Sequence, residues 1–468
     1  MYLDPSVSDA SECSIRLTST VDNALDGPYS GREPILRSLV RVSVVCFSTR
    51  TPYRKVRILM STAPLPRRQL IMRPMMIGVC ASILACSGGG ELPPEPSAPP
   101  TGSYEDFTPE ELVQAFDLRE SETPIREMPG WAPPEKVVIV VPEEWDRREE
   151  RMAFLQEVAP GVELIPVRNR GDAVDRGVLA DAQVVLGLGC SASTVSAIGP
   201  EVRWIQSGSV GVAGCFTSGT PPGETNRILR ERNILATSIR GMTAHAIAQH
   251  SLTLMLSLIG GMDIHDGRQG NHIWGRTQTD VVKDKNLDME FQDQTLLVVG
   301  LGSIGTEVAQ LAHALGIRVI ATRNSSREGP AFVDYVGLSP EMYELASQAD
   351  VVYAAVPNTP DTQDMFNAQF FDAMKESAYF VSIVRLPVIN WDDLKEALRS
   401  GSIAGFGADD LPQRDFELWD MPRVIMTPHV SDYSNRYRDN QFLLYRENLR
   451  RYVAGDRMLN VVDLERGY

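Results

Sequence analysis

No two of the six cysteines in this chain stand in CxxC spacing, so a zinc ribbon or a thioredoxin-like redox motif is excluded and no metal site is expected. They are Cys13, Cys46, Cys80, Cys86, Cys190 and Cys215. Cys190 and Cys215 are candidates for a pair, but two buried free thiols are the expectation. No internal repeat is evident, which sets aside solenoids and propellers. Acidic residues are missing between Glu33 and Glu91, where Arg37, Arg41, Arg50, Arg54, Lys55, Arg57, Arg67, Arg68 and Arg73 are all basic. The rest of the chain is correspondingly acidic. A net charge of −16 excludes a general nucleic-acid binder.

The apolar run Met75 to Ala85 is too short to cross a bilayer as a helix. Arg67, Arg68 and Arg73 precede it and Cys86-Ser-Gly-Gly-Gly follows, which is the pattern of a secretory signal. Ile83-Leu84-Ala85-Cys86 resembles a bacterial lipobox, with Leu84 where a small residue is usual. The resemblance implies a lipid anchor on Cys86 and an exported, membrane-tethered protein. The alternative is an N-terminal extension on a cytoplasmic enzyme. Met60 and Met72 are candidate starts. Residues 1–59 are expected to form no domain, residues 60–86 a signal-like segment, and residues 87–134 a Pro-rich linker.

Further along, Thr295-Leu-Leu-Val-Val-Gly300-Leu-Gly302-Ser-Ile-Gly305 reads as a buried strand, a tight turn and the start of a helix. Val308, Leu311, Ala312 and Leu315 continue at helical spacing, Gly316 ends the helix, and Arg318 to Thr322 supplies the next strand. This is the context that a dinucleotide-binding GxGxxG needs. Gly300 makes the turn, Gly302 lets the N–H groups around Ser303 and Ile304 approach a pyrophosphate, and Gly305 lets helix and strand pack closely. The end of the second strand lacks the acidic residue that usually binds a ribose 2′-hydroxyl. Arg323, Asn324, Ser325, Ser326 and Arg327 stand there instead. Guanidiniums and hydroxyls suit a 2′-phosphate, so NADP(H) is favoured over NAD(H). The alternative is that Arg323 stacks on the adenine or is merely solvated.

The rest of the chain alternates between strand and helix, which places it in the α/β class. Strands are predicted at 137–141, 162–167, 182–186, 202–206 and 234–237, with an amphipathic helix over 143–158. A long apolar helix is predicted from Thr243 to about Asp266 as a connector. The dinucleotide unit then runs from Gln294 to about Thr427, with later strands at 351–355, 379–384, 403–408 and 424–426. Asn390 caps a helix that Gly401 closes. A last helix around 435–452 crosses back to the first domain. The expected architecture is two doubly wound parallel-sheet domains, a Rossmann dinucleotide-binding domain (243–432) inserted in a flavodoxin-like substrate domain (135–242 and 433–468).

Residues 135–465 resemble the D-isomer-specific 2-hydroxyacid dehydrogenases over several separated motifs. Trp204-Ile-Gln-Ser-Gly-Ser-Val-Gly-Val212 looks like the family's substrate loop, and Arg240-Gly241 like its domain crossing. Val356-Pro-Asn-Thr-Pro-Asp-Thr362 resembles the loop beside the cofactor, so Val356, Pro357 and Thr362 are expected there. Val381-Ser-Ile-Val-Arg385 and Thr427-Pro428-His429 resemble the segments that carry the catalytic Arg and His. The resemblance implies reduction of a small 2-oxo acid, such as glyoxylate or hydroxypyruvate, by a homodimer. Arg385 and the backbone of Ser207, Gly208, Ser209, Val210 and Gly211 would hold the carboxylate. His429 would deliver the proton, since an ordinary histidine titrates near pH ~6.5.

Some residues depart from the family pattern. The Glu that normally orients the His is not matched: its place falls on Arg414 or on Asp410, according to where a deletion is set. Arg414 would disfavour a charged imidazole, whereas Asp410 is the catalytic candidate though a methylene shorter. Asp409 fits the family residue that meets the nicotinamide carboxamide. Leu386 replaces a glycine after the Arg, and Val430-Ser431-Asp432-Tyr433 replaces small residues after the His, which would narrow the pocket. The second expectation is therefore a tethered NAD(P)-binding protein with impaired catalysis.

Overall fold

The computed structural model describes residues 107–274, 290–410, 412 and 416–466, together with two strands in the N-terminal region. Those two strands, β1 (Val40–Val45) and β2 (Lys55–Met60), pair antiparallel as a hairpin. Cys86 and its signal-like surroundings lie outside the described residues, and so does Arg414. No helix among the described residues is long and apolar enough to cross a membrane.

The first domain begins earlier than expected. The segment taken as the end of a linker folds into a helix, Pro109–Ala115, and a strand, β3 (Glu120–Pro124). The helix is well started: Thr108 and Glu111 form a reciprocal capping box, and Pro109 fills the first turn. Leu112, Phe116, Leu118 and Ile125 then bury themselves in the first domain's core, and that burial overrides the high proline content upstream.

Five parallel strands follow: β4 (Lys136–Val140), β5 (Glu163–Val167), β6 (Val184–Leu186), β7 (Trp204–Gln206) and β8 (Leu235–Thr237). Their order is β5-β4-β6-β7-β8, the flavodoxin-like 2-1-3-4-5 arrangement. The C-terminal helix Tyr437–Ala454 packs Phe442, Leu444, Tyr445 and Tyr452 into the same core. It is followed by β16 (Arg457–Leu459), which pairs antiparallel with β3.

The connector is one helix, Ala244–Ile259, then a break at Gly260–Gly261 and a second helix, Met262–Gly270. Gly261 adopts φ 62°, a left-handed conformation that stops the expected continuous helix. Ala248, Leu254, Met255 and Leu258 join the core of the second domain.

That second domain holds seven parallel strands: β9 (Thr295–Val299), β10 (Arg318–Arg323), β11 (Tyr335–Leu338), β12 (Val351–Ala354), β13 (Tyr379–Ser382), β14 (Gly405–Ala408) and β15 (Val424–Met426). The order β11-β10-β9-β12-β13-β14-β15 is that of a Rossmann sheet extended by one strand. Strand β9 is buried along its whole length, as its unbroken Thr-Leu-Leu-Val-Val sequence requires. The predicted cap also forms: Asn390 Oδ1 accepts from Asp393 N at 3.2 Å, and Gly401 ends the Trp391–Ser400 helix at φ 76°.

Candidate active site

The turn after β9 sits where the strand order reverses, between β9 and β12. Gly300 has φ 103°, and a Cβ there would stand 2.7 Å from Ala355 O. A Cβ on Gly305 would collide with the Gly300 carbonyl and stand 2.9 Å from Val298 Cγ1. Gly302 differs: a Cβ there meets nothing within 4 Å. It is also the N-cap of the Ser303–Ala314 helix, and no side chain caps that end. The start of the helix at Gly302, Ser303 and Ile304 therefore opens its uncapped N–H groups to space, which fits a pyrophosphate.

Beyond that turn, β13, β14 and β15 lie side by side and parallel. Arg385 follows β13, Asp410 follows β14 and His429 follows β15, so adjacent strand ends deliver the three side chains to one place. Arg385 Nη1 lies 3.2 Å from Asp410 Oδ2 and 2.7 Å from His429 Nε2. The same Nη1 lies 3.1 Å from His429 Nδ1, so one guanidinium nitrogen faces the edge of the imidazole. Nδ1 is 3.8 Å from Asp410 Oδ1, close enough for charge pairing but beyond a hydrogen bond. His429 itself has φ 56°, a left-handed backbone that is uncommon for a residue with a side chain.

The predicted substrate loop reaches this cluster from the first domain. A Cβ on Gly211 would stand 3.3 Å from Arg385 Nη2. Ser207 N donates to Thr237 O at 2.7 Å, and Gly208 O accepts from Tyr437 Oη at 3.1 Å and Gln441 Nε2 at 2.8 Å. Val210 packs against the first core, while Ser209 Oγ donates to Gly211 O at 3.0 Å. Burial pushes the Tyr437 hydroxyl up to about 12, so it stays a donor to the loop.

Residues 252–431 match the family model for the D-isomer specific 2-hydroxyacid dehydrogenase NAD binding domain. An uncharacterised protein encoded in the proB 3′ region of Corynebacterium melassecola is 30% identical over 235 residues, 49% of this chain and 74% of that protein. The chain belongs to the D-isomer specific 2-hydroxyacid dehydrogenase family.

Human glyoxylate reductase/hydroxypyruvate reductase is 34% identical to this family member over 170 residues, which are 35% of this chain and 51% of the human protein. The chain thus spans about half of that relative. The fold is shared with an NADPH-dependent glyoxylate/hydroxypyruvate reductase from Sinorhizobium meliloti, with a TM-score of 0.58 and 21% identity. The likeness covers 70% of this chain and 100% of that one. An NAD(P)-binding domain is thereby a property of the chain.

Several predicted residues take other positions. Asp409 was expected beside the nicotinamide but is turned into the loop that carries His429. It is 2% exposed, and its Oδ1 accepts from Thr427 Oγ1 at 2.6 Å and Val430 N at 3.0 Å. Its Oδ2 accepts from Ser431 N at 2.8 Å. Both oxygens are thus engaged by the protein. Burial raises the Asp409 carboxyl, but hydrogen bonds from Ser431, Thr427 and Val430 outweigh it and hold the group below the usual carboxylate range. His250 Nε2 lies 2.8 Å from Thr427 Oγ1 and extends this brace.

Arg327 is paired at the surface beside β11. It donates to Tyr335 Oη at 2.9 Å and pairs with Glu341 at 2.7 Å, which holds the Glu341 carboxyl down at about 2. Arg323 remains at the end of β10, donating to Glu328 O at 2.8 Å, while Asn324 and Ser325 are exposed beside it. Thr362 closes its own loop, donating to Pro357 O at 2.7 Å, and Val356 packs on the sheet core. Leu386 and Tyr433 are both exposed, the latter with its ring 6.1 Å from Tyr437.

Three contributors were given no such part by the sequence, and one of them, His245, was not singled out at all. Arg240, from the crossing, is lodged against Asp117 O and Oδ2 at 3.3 Å each. Burial lowers its pKa, and the nearby Arg119 and Arg323 add to that, which marks a concentration of positive charge across the two domains. His245, at the start of the connector, bonds Glu307 of the nucleotide helix at 2.8 Å. Asp432 lies near His429 and Arg385, with burial raising its carboxyl.

Finally, Cys190 and Cys215 are a disulfide pair, not free thiols, with Cα atoms 4.9 Å apart. Adjacent strands β6 and β7 bring together two loops that sequence spacing leaves 25 residues apart.

Proposed function

We propose that this chain reduces a small 2-oxo acid, glyoxylate or hydroxypyruvate in kind, to the D-2-hydroxy acid, with NADP(H) preferred over NAD(H). The observation that carries the reading is the convergence of Arg385, His429 and Asp410 beneath Gly211. The cofactor, when bound, supplies hydride. The carboxylate of the substrate meets Arg385 Nη2 and the backbone of Ser207 to Gly211, which orients the carbonyl. The carbonyl oxygen enters between Arg385 Nη1 and His429 Nε2, in place of their direct contact. His429 gives its Nε2 proton to that oxygen as negative charge develops there. Asp410, beside Nδ1, orients the ring and balances the imidazolium. The activity of the human relative, glyoxylate reductase/hydroxypyruvate reductase, supports the substrate class.

The NADP(H) preference rests on Arg323, backed by Arg240 and Arg119, with no carboxylate at the strand end. Export with a lipid on Cys86 is supported by the basic-apolar-Cys pattern and by the Cys190–Cys215 disulfide, which suits an oxidising compartment. Mass spectrometry of the membrane fraction tests that anchor, and an unmodified Cys86 in soluble protein ends the idea. A homodimer is the assembly this reading carries, tested by light scattering.

A second reading, a nucleotide-binding protein with little turnover, is favoured by one distance. Asp410 stops 3.8 Å short of His429, where the family's longer Glu would bond. An NADPH-oxidation assay over a panel of 2-oxo acids separates the two. Turnover with glyoxylate or hydroxypyruvate is expected, whereas tight NADPH binding with no turnover on any member would establish the second reading.

A further inference from the structure

The disulfide joins two loops whose roles differ. Cys190 ends the Gly187-Leu-Gly-Cys turn after β6 and immediately precedes Ser191, the N-cap of the Ala192–Val195 helix. Cys215 lies in the first turn of the Gly214–Thr217 helix, directly after the substrate loop. Both cysteines are buried, at 4% and 2% exposure.

The loop from Ser207 to Ala213 is held unevenly. Its near end is fixed by the sheet, through Ser207 N to Thr237 O, and by Tyr437 and Gln441 on Gly208 O. Ser209 and Gly211 are exposed in its middle. The far end bonds mainly to itself: Cys215 N to Val212 O at 2.8 Å, and Phe216 N to Ala213 O at 2.9 Å. Gly208, Gly211 and Gly214 give this stretch a large conformational freedom to lose. The disulfide is the bond that ties the far end to the sheet, helped by Ser218 Oγ, which accepts from Ala192 N at 3.0 Å. Gly211, the residue facing Arg385, lies between the two anchors.

We propose that Cys190 and Cys215 are positioning residues for the substrate: their disulfide fixes the far end of the Ser207–Ala213 loop opposite Arg385, so the carboxylate-binding half of the site is complete only in the oxidised protein. The proposal rests on the 2-oxo acid reading of the site. A dithiol reductant would undo it. The Sγ–Sγ bond breaks, two electrons and two protons give two thiols, and the reductant closes to its own cyclic disulfide. The nucleotide cradle, on the other domain, is untouched by this exchange.

The test uses the full chain in three forms: as isolated, reduced with dithiothreitol, and as Cys190→Ala/Cys215→Ala. Alkylation and intact mass first count the thiols. Hydrogen exchange then follows the amides of 207–217, NADPH titration follows the cradle, and steady-state kinetics with glyoxylate follow the site. The expected result is faster exchange confined to 207–217 in the second and third forms, with NADPH affinity unchanged. The glyoxylate KM rises on the order of tenfold because preorganisation is lost, while kcat changes far less. Loop exchange that is identical in all forms overturns the proposal, as does alkylation of both cysteines in the protein as isolated. An unchanged KM despite a loosened loop overturns it too. If no form turns over any 2-oxo acid, the oxidoreductase reading fails, and the exchange data alone still decide whether the disulfide holds the loop.

Discussion

Replacing Asp409 by Ala removes the acceptor that holds the His429 loop in place. In the wild type the carboxylate receives Thr427 Oγ1, Val430 N and Ser431 N at 2.6, 3.0 and 2.8 Å. Ser431 is buried, so its N–H loses the one partner it has among the described residues, which costs about 1–3 kcal/mol. Val430 N is part-buried and regains some hydration, and Thr427 Oγ1 has Ala408 O at 3.4 Å as a second acceptor. The sum is about 3 kcal/mol of folding stability. Asp409→Asn keeps one acceptor but turns an amide N–H toward Ser431 N, and should cost about 2 kcal/mol. The local effect is larger than the global one. His429 is held at φ 56° by the two N–H groups that Asp409 binds, so the loop relaxes and turnover falls on the order of 100-fold. Urea denaturation and glyoxylate-dependent NADPH oxidation measure the two effects. If Asp409→Ala stays within about 0.5 kcal/mol of wild type and retains its rate, this account of the brace is wrong. The charge also sets an acid limb. The folded-state carboxyl lies below its ordinary value, so its contribution is present above that value and is lost as pH falls through the folded one. Asp409→Asn should flatten that limb below about pH 4.

The His245–Glu307 pair predicts the opposite pH dependence. Glu307 raises the His245 pKa, so the stabilisation is complete below pH ~6.5 and fades as pH rises through the higher folded value. Glu307→Gln should remove this dependence in thermal melts across about pH 5–9, and an unchanged slope would count against the pair. Arg323→Asp should move cofactor preference toward NADH by at least tenfold, roughly one charge-assisted contact, measured as the ratio of the two affinities. Equal affinities before and after would refute the phosphate site. Gly305→Ala drives a methyl toward Val298 and the Gly300 carbonyl, so a cost of about 2 kcal/mol and weaker NADPH binding are expected in calorimetry.

The legible parts of this molecule are those in which local pattern and tertiary role coincide. The glycine turn was readable because strand, turn and helix are contiguous, and each glycine has a separate steric task. Arg385 and His429 stood out because they follow apolar strands, and the parallel order of β13 to β15 then places them together. Strand β11 was unread: Tyr-Val-Gly-Leu is short, at the sheet edge, and interrupted by glycine. The Pro109–Ala115 helix was masked by the prolines before it, although its capping box is a local signal. The Arg327–Glu341 pair was unread because Glu341 lies in a separate turn beyond β11, brought close only by the fold. Asp409 and Asp410 are neighbours in sequence with opposite destinations. In the bend just after β14 one side chain turns inward to backbone N–H groups and the other toward Arg385, and the family pattern alone did not say which. The disulfide needed the adjacency of β6 and β7, which spacing does not encode.

The central claim is that His429, set against Arg385, supplies the proton for reduction of a 2-oxo acid. It is tested most directly by mixing NADPH-loaded wild type and His429→Ala with glyoxylate and following single-turnover loss of the reduced nicotinamide. The account predicts rapid loss in the wild type and a rate lower by about 100- to 10,000-fold in the variant, with NADPH affinity equal in both. Equal rates in the two proteins, or no loss in either, would contradict it.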